Sequence, residues 1–291
     1  MIECVPNFSE GRNPHTIAAI VRVIGHLNGI AVLGFESDED HHRSVITFAG
    51  EPAPVFEAAV RATGKAAELI DLRLHAGVHP RVGATDVVPF VPLDGSTLEE
   101  CVALAHRAGE EIWQRFRVPV YFYEAAAKDP ERRRLEKVRR PGFDGRPPDV
   151  GDLAEHPTAG AVMVGARLFL IAYNINLATP DAVIAKQIAA KVRESSGGFP
   201  FVKAMGLHLP SQGVAQVSMN LTNFAATPLD DLYAAVEAEA ARLGTAIAGS
   251  ELIGLIPRAA LEQAPAFFRR TRGFNESRVI ESRIAQLLEL K

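Results

Sequence analysis

The sequence has little cysteine, no long apolar run and almost no excess of charge. Its two cysteines, Cys4 and Cys101, lie far apart, so they form neither a disulfide framework nor a zinc knuckle, and we expect buried thiols. No apolar run reaches the roughly 18 residues that a membrane span needs. The net charge of -4 gives no reason to expect nucleic acid or an acidic membrane as a partner.

Several signatures of known protein classes are missing as well. The start, MIECVPNFSEG, has neither the basic nor the apolar region of a signal peptide, so we expect a cytoplasmic protein. No GxGxxG, Walker or GxSxG motif occurs, which leaves nucleotide-binding and serine-hydrolase functions without support. The 291 residues, 47% of them hydrophobic, suit two medium domains or one large one.

Hydrophobic periodicity and turn signals predict the same order of elements in each half: strand, helix, strand, strand, helix, strand. Asn13 and Pro14 predict a helix start in the first half, and Thr179 with Pro180 predict one in the second. The predicted strands are 2–8, 30–35, 44–48, 84–90, 118–123, 161–176, 201–209, 215–221 and 247–256. The predicted helices are 14–27, 54–70, 98–116, 180–195, 228–243, one from 257, and 276–290.

This order is that of the split β-α-β, or ferredoxin-like, unit used twice in an α+β protein. We expect an N-terminal subdomain over 1–168 and a C-terminal subdomain over 169–291, with a ligand groove between them. The stretch 128–152 interrupts the pattern with a run of basic residues followed by proline and glycine. It is either a solvated surface or a rim that attracts anions.

The polar loop between 75 and 86 holds the strongest candidate for catalysis. His75 and His79 are spaced as a helical metal pair, but Gly77 weakens a helix and Pro80 favours an extended backbone before it. A loop histidine such as His79 suits a general base because its pKa lies near neutrality. A hydrogen-bonded histidine without a catalytic role is the alternative.

Charged residues beside this histidine are candidates for substrate binding. Arg81 and Asp86 could orient His79 or hold a substrate charge, and Asp86 could equally cap a strand. Asn7, at the end of the first strand, offers an amide donor and acceptor, or belongs to a plain turn. Asn174 and Asn176 alternate on one strand, which indicates a groove or an edge strand.

The segment 37–44 is a second polar candidate. Asp40, His41 and His42 could gather with His79 around a divalent metal, although the adjoining Arg43 would repel a cation. Arg43 suits a carboxylate because its two-nitrogen fork can pair both oxygens. Metal binding, substrate binding and a plain charged hairpin all stay open.

Three long segments together resemble glutamate formimidoyltransferase, the formiminotransferase part of the enzyme otherwise fused to a cyclodeaminase. They are ECVPNFSEG at 3–11, DHHRSVITFAG at 40–50 and HPRVGATDVVPFVPL at 79–93. Weaker matches are VGARLFLIAYNINL at 164–177, AQVSMNLTNF and GSELIGLIP. The resemblance spans nearly the whole chain.

The resemblance implies a homodimeric, cytoplasmic enzyme of one-carbon metabolism that belongs to histidine degradation. It implies transfer of the formimino group of N-formimino-L-glutamate to N5 of tetrahydrofolate, a co-substrate, with His79 as general base and no metal expected. The substrate-binding residues expected are Asn7, Asp40, His42, Arg43, Arg81, Asp86, Asn174 and Asn176. The folate-binding residues implied are Asp149, Val150, Gly151, Pro157 and Gly160.

Other functions stay open at this point. A related folate enzyme could use a formyl donor or 5-formyltetrahydrofolate, because the donors differ by one heteroatom. A metal-dependent hydrolase could use the His and Asp residues, and a non-catalytic folate-binding protein would leave His79 without a task.

Overall fold

The computed structural model describes residues 1–39, 42–75, 81–93, 95–139, 145–152, 154–210 and 212–289. The predicted site residues Asp40, His41 and His79 lie outside these ranges. The chain divides into two compact units, Met1–Arg167 and Leu168–Lys291. Both units combine helices with a sheet, so the predicted α+β class is confirmed.

The first unit has one mixed sheet flanked by helices. Its strands are β1 (Ile2–Cys4), β2 (Asn7–Phe8), β3 (Ile30–Asp38), β4 (Arg43–Gly50), β5 (Thr85–Pro92), β6 (Val120–Glu124) and β7 (Val162–Ala166). Its helices are α1 (Pro14–Gly25), α2 (Pro52–Leu69), α3 (Leu98–Phe116) and the short α4 (Leu135–Val138). The Asn13 side chain accepts hydrogen bonds from the N–H groups of His15 and Thr16, with Pro14 following, so the predicted start of α1 is confirmed.

The strands of this sheet lie in the order β3, β4, β1 with β2, β5, β7, β6. The short strands β1 and β2 share one position, since each pairs with β4 on one side and β5 on the other. The pairs from β3 to β5 are antiparallel, whereas β7 is parallel to both β5 and β6. The prediction of one strand over 161–176 is wrong, because β7 ends at Ala166 and a separate strand begins at Ile171. All five residues of β7 are buried, as suits an interior parallel strand, and alternating burial begins only at Ile171.

The two faces of the first sheet are covered by different elements. The main core lies under α1, α2 and α3 and includes Ile20, Val55 and Ile112. On the other face, Leu135 and Val138 of the α4 region pack in a smaller cluster that includes Tyr121, Tyr123 and Met163. This second cluster packs α4 against β6, and the residue after α4, Arg139, reaches Asp86 of β5.

The second unit has an antiparallel sheet with helices packed on one face. Its strands are β8 (Ile171–Leu177), β9 (Val202–Leu209), β10 (Val214–Leu221) and β11 (Ile247–Ile253), in the order β11, β8, β10, β9. Its helices are α5 (Ala182–Val192), α6 (Leu229–Arg242), α7 (Arg258–Gln263), α8 (Pro265–Arg269) and α9 (Ile280–Glu289). In neither unit does a described helix combine the length and apolar character that crossing a membrane requires.

The start of α5 differs from the prediction. Asp181, and not Thr179, caps the helix, because its side chain accepts the N–H of Val183 at 2.8 Å. The Thr179 hydroxyl instead accepts the N–H of Asp181 at 3.2 Å. Pro180 therefore precedes the cap and belongs to the turn before the helix.

Close packing of α5 on β9 predicts that Gly206→Ala destabilises the protein. A Cβ atom at Gly206 would lie 2.2 Å from the backbone nitrogen of Lys186, so the helix would have to move. We expect a loss of about 1–3 kcal/mol in the free energy of unfolding, measured by urea denaturation. Gly249→Ala on β11 is the control, since a Cβ there has nothing within 4 Å. Equal stability of the two variants would contradict this packing.

Candidate functional site

Polar residues of the first unit meet where three neighbouring strands end or begin. Asn7 of β2 pairs with Val45 of β4, and β2 also pairs with β5. Because these strands are antiparallel, the end of β2 lies beside the beginnings of β4 and β5. This arrangement brings Asn7, Arg43 and Asp86 together. All three are among the substrate-binding residues predicted from the sequence.

Asp86 is placed by an irregularity in the ladder. Asn7 pairs with Val87 and Phe8 pairs with Thr85, so Asp86 is the skipped residue of a bulge. Its side chain is buried, and one carboxylate oxygen accepts the N–H of Val82 at 3.2 Å. The other oxygen lies 3.4 Å from Nη1 of Arg43 and also accepts a hydrogen bond from Nη2 of Arg139.

Arg43 is held on its other side by Asn7. Its Nε and Nη2 atoms donate to Oδ1 of Asn7 at 3.0 and 2.6 Å, and the Asn7 amide donates to the carbonyl of Val5 at 2.9 Å. Burial lowers the pKa of Arg43 to about 10, while Asp86 acts in the opposite direction. Arg43 therefore stays positively charged at neutral pH.

Two arginines of the first unit, one of them in this cluster, carry buried nitrogens that are available to an anion. Nε of Arg139 and Nη1 of Arg81 are buried and have no hydrogen-bond partner within the described ranges. Asp86 supplies one negative charge against the two positive charges of Arg43 and Arg139, so positive charge is in excess. Sequence reasoning treated Arg139 only as part of a basic run, because its partner lies 53 residues away.

A second cluster joins Glu10 to two histidines. Oε1 of Glu10 accepts the N–H groups of Arg12 and Asn13 at 2.8 and 2.9 Å, which fixes the turn before α1. The same oxygen lies 3.3 Å from Nδ1 of His42, and Oε2 lies 3.8 Å from Nε2 of His75. Sequence reasoning did not single out Glu10 or assign a role to His75.

His42 is neutral in this cluster. Its Nδ1 accepts the N–H of Gly11 at 3.0 Å, so that nitrogen carries no proton and its contact with Glu10 is not an ion pair. Burial lowers the pKa of His42, as does His75, although Glu10 acts to raise it. The rings of His42 and His75 stack at 4.4 Å.

The donor atoms of Glu10, His42 and His75 lie within 4.8 Å of one another, as in a metal site. Their orientation suits hydrogen bonding better than a metal. Stacked rings inclined by 28° do not direct their in-plane lone pairs at one point, and Gly11 already occupies the lone pair of His42. Of the metal set predicted from sequence, only His42 lies inside the described residues.

The residues implied in folate binding make contacts within the first unit. Asp149 accepts the N–H of Phe122 at 2.8 Å and Nη1 of Arg132 at 2.7 Å. Val150 forms a bridge with Val120. Arg132, which belongs to the predicted basic rim, is therefore tied into the fold beside β6.

The remaining three of these residues belong to the same segment. Gly151 has φ +112°, and a Cβ there would lie 2.9 Å from the Trp113 ring. Gly160 has φ +66°, and a Cβ there would lie 2.1 Å from the carbonyl oxygen of Val82. Pro157 is exposed. Folate binding by this segment stays a prediction.

A third polar group lies on the face of the second sheet opposite its helices. Nδ2 of Asn174 donates to Oε1 of Glu251 at 3.2 Å, and Nε2 of Gln216 donates to Asn176 and to Glu251, both at 2.8 Å. The shared face of Asn174 and Asn176 is confirmed, but the edge-strand alternative is wrong because β8 is interior. Gln216 and Glu251 were not predicted from the sequence, although each fits the alternating pattern of side chains along its strand.

These polar clusters are typical of an enzyme that binds small charged molecules, and comparison with known proteins gives its family. A model described as the formiminotransferase domain, N-terminal subdomain, matches residues 1–167, and one described as the formiminotransferase domain matches 172–288. The chain belongs to the formiminotransferase family, as its resemblance predicts.

Individual relatives agree over most of their length. The glutamate formimidoyltransferase of Streptococcus pyogenes serotype M1 is 41% identical over 94% of this chain and 95% of its own. That of Thermoplasma acidophilum is 38% identical over 100% of this chain and 99% of its own. The formimidoyltransferase-cyclodeaminase of Gallus gallus is 40% identical over 92% of this chain but only 52% of its own.

The pairing of Asp86 predicts that Asp86→Ala unfolds the first unit easily. The substitution leaves Arg43 and Arg139 buried without their carboxylate, which costs about 3–5 kcal/mol of stability. Urea denaturation measures the loss. Glu131→Ala is the matched control, since its pair with Lys137 at 2.8 Å is exposed to solvent and contributes little to stability. Similar losses in both variants would contradict the buried pairing.

The neutral state of His42 predicts a dependence of stability on pH. Its pKa is lower in the folded protein than the usual 6.5, so the unfolded chain binds more protons as pH falls through that value. Neutral His42 therefore contributes stability when the pH is above its pKa in the unfolded chain. This contribution is lost as the pH falls below that value. We expect His42→Asn to lose less stability than the parent between about pH 7.5 and about pH 5.5, measured by thermal unfolding.

Asparagine is suited to this comparison for two reasons. It can accept the N–H of Gly11, and it tolerates the positive φ of 50° at this position. Identical pH profiles for the parent and His42→Asn would show that His42 does not contribute.

Proposed function

We propose that this chain transfers the formimino group of N-formimino-L-glutamate to N5 of tetrahydrofolate. One observation carries the proposal: two relatives named glutamate formimidoyltransferase match 94% and 100% of this chain and nearly all of their own length. Folate is a substrate of the reaction and not a bound cofactor. The activity belongs to one-carbon metabolism and to histidine degradation.

The positive cluster of the first unit supports a role in binding the donor. Formiminoglutamate carries two carboxylates, and a guanidinium can pair both oxygens of a carboxylate. Arg43 and Arg81 are the groups assigned to these charges, with Asn7 and Asp86 orienting them. Asp40 and His42, also assigned to the donor, precede Arg43 in the chain.

The reaction needs a group that moves a proton. When N5 attacks the formimino carbon, a tetrahedral intermediate forms and N5 becomes positively charged. N5 must lose its proton, and the glutamate nitrogen must gain one, before the bond between the carbon and glutamate breaks. His79 takes the first proton and returns it to the departing amine. Its place before Arg81 and Val82 puts it next in the chain to the Asp86 cluster.

The proposal extends to the architecture. The strand orders of both sheets support two ferredoxin-like subdomains, 1–168 with the catalytic histidine and 169–291, because each contains the antiparallel arrangement of a split β-α-β unit. The ligand groove between the subdomains stays a prediction. We place the enzyme in the cytoplasm as a homodimer, on the ground of its family.

An assay with formiminoglutamate and tetrahydrofolate tests the activity. We expect a product whose formimino group is bound to N5, detected by its absorbance and by mass spectrometry. The same assay with formylglutamate is the comparison. Faster turnover with the formyl donor would overturn the proposed substrate.

His79→Ala tests the general base. We expect turnover to fall by about 10²- to 10⁴-fold, because a positioned proton acceptor contributes that much, while tetrahydrofolate still binds. His26→Ala, at an exposed histidine after α1, is the control. Unchanged turnover in His79→Ala would remove His79 from the mechanism.

A further inference from the structure

The ring of Tyr123 leans from its own strand, β6, across the neighbouring strand β7. Tyr123 pairs with Gly165 of β7, and a Cβ atom at Gly165 would lie 2.4 Å from Cε1 of the ring. Only glycine leaves room for the ring in this position. Gly165 pairs in turn with Pro89 of β5. The side chain of Tyr123 therefore extends toward β5, the strand that carries Asp86.

The packing of this ring brings it close to two charged residues. Tyr123 belongs to the smaller apolar cluster of the first unit, together with Val87 and Val138. Val87 directly follows Asp86 in the chain, and Val138 directly precedes Arg139. Arg139 also donates a hydrogen bond to Asp86. The apolar cluster thus holds Tyr123 beside the pair that Asp86 and Arg139 form.

The Tyr123 hydroxyl is a hydrogen-bond donor at neutral pH. Burial raises its pKa, although Arg167 and Arg139 act to lower it, so the hydroxyl keeps its proton. Tyr123 is only 2% exposed, and within the part of the chain that the structure describes no group accepts a hydrogen bond from its hydroxyl. Buried polar groups are usually paired, so an unpaired one indicates a place for a ligand or an ion.

Arg139 has an unpaired donor as well. Its Nη2 donates to Asp86, whereas its Nε is buried and donates to no group among the described residues. Asp86 supplies one negative charge against the two positive charges of Arg43 and Arg139. A buried charge without a counter-charge is strongly unfavourable, so this cluster is suited to a bound anion.

We propose that Tyr123 and Arg139 together bind one carboxylate of formiminoglutamate, with the hydroxyl and the Nε–H group as donors. A carboxylate accepts several hydrogen bonds through its two oxygens, and bonds from a guanidinium to it are among the strong ones. The inference rests on the proposed function, since it adds two residues to the site of the donor substrate.

The glutamate tail of tetrahydrofolate also carries carboxylates, but it suits this position less well. Asp86 accepts the N–H of Val82, which follows the proposed base His79 by three residues. In formiminoglutamate, both carboxylates lie within a few bonds of the formimino carbon that reacts near this base. In tetrahydrofolate, the aminobenzoyl ring separates the tail from N5. A cluster beside the proposed base therefore favours the donor.

Tyr123→Phe and Arg139→Lys test the proposal through steady-state kinetics of the full-length enzyme. The first removes only the hydroxyl, and the second keeps the positive charge but removes the Nε–H donor. We expect KM for formiminoglutamate to rise about 10-fold in Tyr123→Phe and about 10- to 100-fold in Arg139→Lys, because a hydrogen bond to a charged group is lost. We expect kcat and KM for tetrahydrofolate to stay unchanged.

Two variants serve as matched controls. Tyr233→Phe removes the hydroxyl of a buried tyrosine in the second unit, and Arg61→Lys changes an exposed arginine of α2. Both should behave like the parent in KM for either substrate.

Competitive inhibition by amino acids tests whether one carboxylate is held. Glutamate carries both carboxylates of the donor, whereas glutamine lacks the one in the side chain and isoglutamine lacks the α-carboxylate. In Arg139→Lys we expect the inhibition constants of glutamate and of one amide to rise, while that of the other amide is unchanged. An equal rise for all three would overturn the proposal, because it would indicate a general disturbance of the site.

The outcomes separate this inference from the proposed function. A parent protein that transfers no formimino group would overturn both. Transfer by the parent, together with an unchanged KM for formiminoglutamate in either variant or a raised KM for tetrahydrofolate, would overturn only the role of Tyr123 and Arg139.

Discussion

The first unit depends on one buried carboxylate. Asp86 joins the beginning of β4 through Arg43, the end of α4 through Arg139, and the segment after His79 through the N–H of Val82. A buried charge without partners costs several kcal/mol, so these three elements cannot separate independently. The cluster of Leu135 and Val138 supports the same contact, since it packs α4 against the sheet at β6.

The two units differ in the electrostatics of their polar residues. In the first, two arginines contact one buried carboxylate, so positive charge is in excess there. In the second, Glu251 lies among amides and lacks a described cationic partner.

Local features were predictable from sequence, and contacts between distant residues were not. The Asn13 cap and the alternation of β8 follow from neighbouring residues, and both occur. The break after β7 was missed, because a continuous apolar run conceals the change from a buried parallel strand to an alternating antiparallel one. Glu251 was missed because its amide partner Asn174 lies 77 residues away and only strand pairing unites them.

Both polar clusters also lie beside a β-bulge, which the hydrophobic periodicity of the sequence does not reveal. Asp86 is the residue skipped where β5 pairs with β2, and Ala248 is the residue skipped where β11 pairs with β8. In a regular ladder, strict alternation would assign Asp86 to the same face as Val88 and Phe90, which belong to the apolar core. The bulge allows a charged residue to leave that pattern while the flanking residues keep their core positions. A bulge depends on the pairing of two strands, so such sites require the three-dimensional ladder to be found.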